Sequence, residues 1–262
     1  MGKPTPASRR AALQAQREAA LAAQRRGRII GAVVGATLAV LLVAGGAWWW
    51  NQSRKPAPVP VGKQLAVPNA SAKGEGITLA KTPAGKPTLV IYEDYQCPWC
   101  KVAHDALGPL TTKLVAKGEI GVEVRSITLL DRASNDSSYR ANVGAACADV
   151  AGAYDRYRNA VFAKQPAKEG DGYSDELLKS LLDTLSLEDP SAFTQCYDQR
   201  QTHDAVTTVL DAARAADRDT SSPQYWVADD SGALKNQLDL KALMGEKDPT
   251  EADYLAAIKA AA

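Results

Sequence analysis

Two cysteines three positions apart, Cys97 and Cys100, stand in YEDYQCPWCK at residues 92–101, directly after the apolar run TLVIY. Thiols at this spacing have three uses: a reversible dithiol–disulfide couple, half of a tetrahedral metal site, or two small residues in a core. A zinc site needs four ligands, as close pairs or with histidines at short spacing. Here Cys147 and Cys196 follow 47 and 96 residues after Cys100, and the two histidines, His104 and His203, form no matching knuckle. Neither a metal nor another cofactor is expected, and the spacing favours redox chemistry over two buried thiols or a static surface disulfide.

At the start of a helix, free N–H groups and the positive end of the dipole favour a thiolate at Cys97, with Cys100 one turn further in and more buried. Cys97 is then the nucleophile and Cys100 the resolving thiol. Pro98 falls at an early position that tolerates it, and Trp99 gives the couple an apolar, partly exposed shoulder. These two residues tune how far the dithiol is stabilised over the disulfide.

The elements that must hold the pair can be read from pattern. ITLA (77–80), TLVIYEDY (88–95) and EIGVEVRSITLL (119–130) read as strands. Val102, Ala103, Ala106, Leu107, Leu110 and Leu114 recur at helical spacing after the cysteines, with a kink or break predicted at Gly108-Pro109. From Asp131 to Asp219 the period changes to 3.6. Tyr139, Val143, Cys147, Val150, Tyr154, Tyr157 and Val161 trace one face of a single long helix, a capped helix is expected after Ser174, and another opens at Asp189-Pro190 with Pro in its first turn. QYWVADD and GALKNQL form a hairpin across Asp229–Gly232, and a Thr250-capped helix ends the chain. The fold class is α/β, with a mixed sheet and an all-helical insertion at about 132–219.

Residues 29–50, IIGAVVGATLAVLLVAGGAWWW, carry no charge, which suits one transmembrane helix. The arm 1–28 holds Lys3, Arg9, Arg10, Arg17, Arg25, Arg26 and Arg28 against Glu18. The positive-inside bias therefore predicts a single-pass cell-membrane protein with a cytoplasmic N-terminus and an extracytoplasmic domain, and Trp48–Trp50 at the outer interface. A cleaved signal peptide is the rival reading. Residues 51–76, rich in Pro and small residues, read as an extended linker, leaving 77–262 as one domain. The net charge of +1 gives no sign of a polyanionic partner, so no nucleic acid is expected.

With Cys-Pro-Trp-Cys between strand and helix, a helical insert, LLDRASND, and Ser222-Pro223 before the strand of SSPQYWV, residues 77–262 resemble the DsbA-like thiol:disulfide oxidoreductases of the thioredoxin superfamily, especially membrane-anchored members of bacterial cell envelopes. The resemblance implies a thioredoxin-like fold, Pro223 as the cis-proline opposite the pair, and Ser222 as a residue whose backbone meets substrate like an added strand. It also implies a structural Cys147–Cys196 disulfide, which by loop entropy would stabilise by roughly 4 kcal/mol. Many relatives carry a buried acid six residues before the first cysteine. Here that position is Ile91; Glu93 and Asp94 lie nearby, and Glu93, on the same strand face, is the substitute candidate for that proton-transfer acid and for redox tuning at the substrate groove, the alternative being that both acids are solvated strand-end residues.

The leading functional reading is an oxidase that introduces disulfides into reduced, unfolded secreted or envelope proteins and is reoxidised by a DsbB- or VKOR-type quinone-linked membrane partner. A reductase or isomerase kept reduced by a membrane donor is the second, and a tethered binding module with a static disulfide the third.

Overall fold

The computed structural model describes residues 41–43, 45–46, 61–131, 135–229, 231–245 and 248–262. Two units divide the chain, Met1–Pro56 and Ala57–Ala262. In the first, residues 41–43 and 45–46 are helical, with Leu41, Leu42 and Val43 exposed. The span expected over 29–50 otherwise lies outside the described residues, and no described helix is long and apolar enough to cross a membrane.

The second unit is built on a five-stranded sheet in the order β1-β3-β2-β4-β5. β1 is Ile77–Ala80, β2 Thr88–Glu93, β3 Gly121–Ser126, β4 Gln224–Ala228 and β5 Leu234–Gln237. β2 and β3 run parallel, and the other neighbours are antiparallel. The central strand β2 buries Leu89, Val90, Ile91 and Tyr92, so both of its faces are covered, which explains its continuous apolar run. Helix α1 (Pro98–Ala116) connects β2 to β3 as the crossover that parallel strands require. Of the kink or break predicted at Gly108-Pro109, the break does not occur: the helix runs through it, with Cys100, Ala103, Leu107, Thr111 and Leu114 burying one continuous stripe.

The insertion holds α2 (Ser137–Val150), α3 (Tyr154–Ala163), α4 (Asp175–Ser180) with a 3₁₀ turn at Leu181–Thr184, α5 (Pro190–Asp198) and α6 (His203–Ala215). The single helix predicted over 139–161 is therefore two. Gly152 takes φ +67°, letting Gly152 N–H reach the Asp149 carbonyl and Ala153 N–H the Ala148 carbonyl, a helix stop that an L side chain would strain. The turn lets α3 pack back on α2, where Tyr157 fits against Gly144 too closely to admit a Cβ. The caps at Ser174 and Asp189 form as their residue types predict.

β4 and β5 pair as the expected hairpin, with Asp229 accepting hydrogen bonds from the Ser231 and Ala233 N–H groups; Asp230 lies outside the described residues. The short helix α7 (Leu240–Leu243) precedes α8 (Glu251–Ala261), whose Thr250 and Asp253 form a capping box.

Of the extended linker expected over 51–76, residues 51–60 lie outside the described residues and residues 61–76 are not an open tether. From residue 61 the chain is fastened to the insertion: Gly62 N–H donates to Gln199 O, Leu65 N–H to Gln201 O, and Asn69 bonds the Asp149 carboxylate through backbone and side chain. Val67 is buried. Local Pro and Gly content predicts an open strap, but these backbone groups find partners far along the chain, which composition cannot reveal.

Candidate functional site

The carboxyl end of β2 and the start of α1 bring the cysteines together. Cys97 is the residue before the first helical turn, in extended conformation at φ −79° and ψ 118°, and Pro98 follows it at a position where no N–H is missed. Cys100 N–H and Lys101 N–H both donate to the Cys97 carbonyl, closing the first turn. Cys97 and Cys100 are present as free thiols, Cys100 only 2% exposed, while Trp99 stands 68% exposed beside them.

Across from the pair, the Ser222–Pro223 peptide is cis, and Cys97 Sγ lies 3.5 Å from the Ser222 carbonyl oxygen, to which its thiol can donate. The two thiols are electrostatically unequal. Cys97 is lowered to about 6, chiefly by the hydrogen bond from the Cys100 thiol, against the opposing effect of burial, with help from the Ser222 side chain and the Cys100 and Trp99 N–H groups. Burial pushes Cys100 well above the usual thiol range. At neutral pH the pair is a thiolate with a neutral thiol donor behind it.

The residues that hold this loop come from the insertion. Gln165 Nε2 donates to the carbonyls of Tyr95 and Cys97, and Tyr173 OH donates to Tyr95 O. Gln96, itself buried, donates to Ser138 Oγ and to Asp131, and accepts from Asn135 Nδ2. Gln96, Ser138, Asp131, Gln165 and Tyr173 were not singled out by residue pattern. The signal for two of them lay in plain view, since Gln96 precedes Cys97 and Asp131 sits in LLDRASND.

The acids after Ile91 are both buried. Glu93 does not line a substrate groove, because its two carboxylate oxygens accept from Arg158 Nε and Nη2 at 2.7 and 2.6 Å. Asp94, by contrast, is bonded to Ser138, Gln96 and Leu130. Ile91 with His104, Arg158 and Tyr225 lines a cavity of about 350 Å³, into which the aliphatic side chain brings no titratable group. His104 stacks on Phe162 at 4.6 Å, and burial lowers its basicity. His203 opens α6 and hydrogen-bonds Tyr139 through Nδ1. After the cis-proline, Tyr225 is core, whereas Trp226 is half-buried under the Arg218 guanidinium.

Cys147 on α2 and Cys196 on α5 are joined in a disulfide, both buried. Among the described residues no group of His, Cys, Asp and Glu could hold a metal ion.

The same architecture recurs in solved structures. BdbD from Bacillus subtilis superposes with a TM-score of 0.55 at 17% identity, covering 78% of this chain and 98% of that one. MdbA, a thiol-disulfide oxidoreductase from Corynebacterium diphtheriae, gives 0.53 at 20% identity over 66% and 89% of the two chains. MdbA from Actinomyces oris, also a thiol-disulfide oxidoreductase, gives 0.53 at 19% over 75% and 97%. At these identities the likeness is one of fold. No curated protein matches the sequence. The thioredoxin family model matches residues 79–230, which span β2, both cysteines, the whole insertion and the cis-proline strand. This chain belongs to the thioredoxin family.

Proposed function

We propose that the protein is a membrane-anchored, extracytoplasmic thiol:disulfide oxidoreductase that introduces disulfides into reduced secreted or envelope proteins. The observation that carries this is the inequality of the two thiols: Cys97, 7% exposed beside Trp99, is lowered to about 6, whereas Cys100, 2% exposed, is held neutral. The MdbA structures, of proteins that are thiol-disulfide oxidoreductases, share the fold that presents the pair.

A substrate thiolate attacks Cys97 Sγ of the disulfide form, making a mixed disulfide as the Cys97–Cys100 bond breaks. The second substrate thiol then attacks its own half of that mixed disulfide and releases Cys97. Two electrons reach the pair, and a quinone-linked membrane partner of the DsbB or VKOR type removes them. Release is favourable because Cys97 departs as a stabilised thiolate. A thiol lowered to about 6 favours the dithiol form at pH 7 by about 1 kcal/mol after solvent screening, or about 20 mV towards oxidising strength. The Ser222 carbonyl ahead of cis-Pro223 lies against the Cys97 sulfur, and a substrate peptide would pair with the Ser222 backbone.

The test is thiol trapping in intact cells followed by capture with a Cys100→Ala variant. The expected outcome is a mainly oxidised Cys97–Cys100 pair and mixed disulfides to envelope proteins through Cys97. A pair found reduced in cells would overturn the oxidase direction in favour of a reductase or isomerase.

A further inference from the structure

Exchange at Cys97 makes a demand on Cys100 that its surroundings oppose. When a substrate thiolate bonds to Cys97 Sγ, the electron pair of the breaking disulfide goes to Cys100 Sγ, which must carry a negative charge while 2% exposed. Water cannot solvate it there, and an unpaired buried charge is costly. A backbone donor is already aimed at that sulfur: Asp94 N–H, 3.3 Å from Cys100 Sγ.

We propose that Asp94 is the positioning residue for the buried leaving group, its carboxylate locking the turn that holds its own N–H on Cys100 Sγ. This rests on the exchange chemistry proposed above and deepens it. The carboxylate is fixed from three directions. Oδ1 accepts from Gln96 N–H at 2.8 Å and from the Ser138 hydroxyl, and Oδ2 accepts from Leu130 N–H at 2.8 Å. The Gln96 contact closes a turn within the active-site loop, the Leu130 contact ties that turn to the segment after β3, and the Ser138 contact ties it to the first turn of α2. Asp94 O also accepts from Cys97 N–H, so one residue fixes the loop at both cysteines, through the Cys97 backbone and the Cys100 sulfur.

Neither of the β2 side chains next to it can substitute. Glu93 is spent on Arg158, and Ile91 has no polar atom. Hydrogen bonds to a charged acceptor are roughly twice as strong as neutral ones, so the N–H counts most at the moment Cys100 becomes a thiolate. The proton Cys100 then gains comes from the second substrate thiol, whose sulfur closes the substrate disulfide and frees Cys97.

The test uses the purified full-length chain, oxidised, with glutathione as the attacking thiol, and follows the rate of disulfide opening at pH 7. Asp94→Ala should slow opening roughly 5- to 10-fold, while the ionisation midpoint of reduced Cys97, read from thiolate absorbance, stays near 6. Asp94→Asn, which keeps an acceptor for the Gln96 N–H, should recover the rate to within about twofold. Ser138→Ala removes one of the three ties without emptying the turn and should slow opening by about twofold, so the test survives if Asp94→Ala does not fold. A general loosening would shift the Cys97 midpoint together with the rate, and that result, or unchanged rates in Asp94→Ala and Ser138→Ala, would overturn the inference alone. A wild-type chain that forms no exchangeable Cys97–Cys100 disulfide would overturn the functional reading and this inference with it.

Discussion

Glu93, the last residue of β2, and Arg158, in the middle of α3, form a two-pronged ion pair of 2.6 and 2.7 Å, with side chains 2% and 5% exposed. The pair rivets the helical insertion to the end of the strand that delivers the cysteines. Arg158 also stands over the Phe162 ring, which in turn stacks on His104 of α1, so the contact spans strand, insertion and active-site helix.

Removing one partner strands the other charge without water. Arg158→Ala should destabilise the domain by about 3–5 kcal/mol, whereas replacing both residues, Glu93→Met with Arg158→Met, should recover most of that loss. Urea midpoints of the two variants check this. Equal losses in the single and the double variant would show that the pair contributes packing rather than charge compensation.

The pH dependence of Cys97 follows from its stabilised thiolate. Only the thiolate reacts with an alkylating agent, so labelling of the reduced protein should rise through a midpoint of about pH 6 and reach a plateau above pH 7. Cys100→Ala deletes the thiol that is the largest cause of the lowering. The midpoint should then move up by about one unit, the worth of one hydrogen bond to a charged acceptor. Iodoacetamide labelling rates across pH 4 to 9 measure both values.

How much of this was legible in the residues differs by level. The strands, the Cys-led helix, the hairpin and the caps at Ser174, Asp189 and Thr250 follow from periodicity and side-chain type, because each is decided within a few residues of itself. The redox pair was legible for the same reason, with Cys97 and Cys100 on one turn. What escaped was settled across long separations. The helical spacing from Tyr139 to Val161 runs straight across Gly152, yet the stop that glycine permits turns α3 back on α2 and so delivers Arg158 to Glu93. Glu93 and Asp94 are adjacent in sequence and look alike, but one is claimed from α3 and the other by Ser138 and Leu130, and only the folded chain separates their duties. Residues 61–76 have the composition of a tether and the hydrogen bonds of a strap.

Asp131 gives a second pH dependence, of opposite sense to the usual carboxylate. Burial raises it to about 6 even though it accepts the Ser138 and Tyr139 N–H groups at the start of α2. A carboxyl that holds its proton more tightly folded than unfolded favours the fold below about pH 4, and that advantage is lost as pH rises through 6. Asp131→Asn does not titrate. Its stability relative to the wild type should therefore improve between pH 4 and 7, by about 1 kcal/mol once solvent screening is allowed for. Urea titrations of both proteins at the two pH values measure the difference, and a relative stability that falls with pH would contradict the assigned direction.

The Cys147–Cys196 bond closes a separation of 49 residues and joins the last turn of α2 to α5, beside the Thr202 hydroxyl at 3.6 Å from Cys147 Sγ. Its neighbourhood is also where the strap docks, through Gly62, Gln64 and Leu65 onto residues 199–204. A cross-link over that span limits the unfolded chain, so replacing both cysteines, Cys147→Ala with Cys196→Ala, should cost about 2–4 kcal/mol. Both sulfurs are buried, and the bonds that hold the active-site loop come instead from Ser138, Gln165 and Tyr173. The variant should consequently unfold at lower urea while Cys97 keeps its labelling midpoint near pH 6 and the Cys97–Cys100 disulfide opens with glutathione at the wild-type rate. A variant of unchanged stability but slowed exchange would instead make the second disulfide a redox partner of the first.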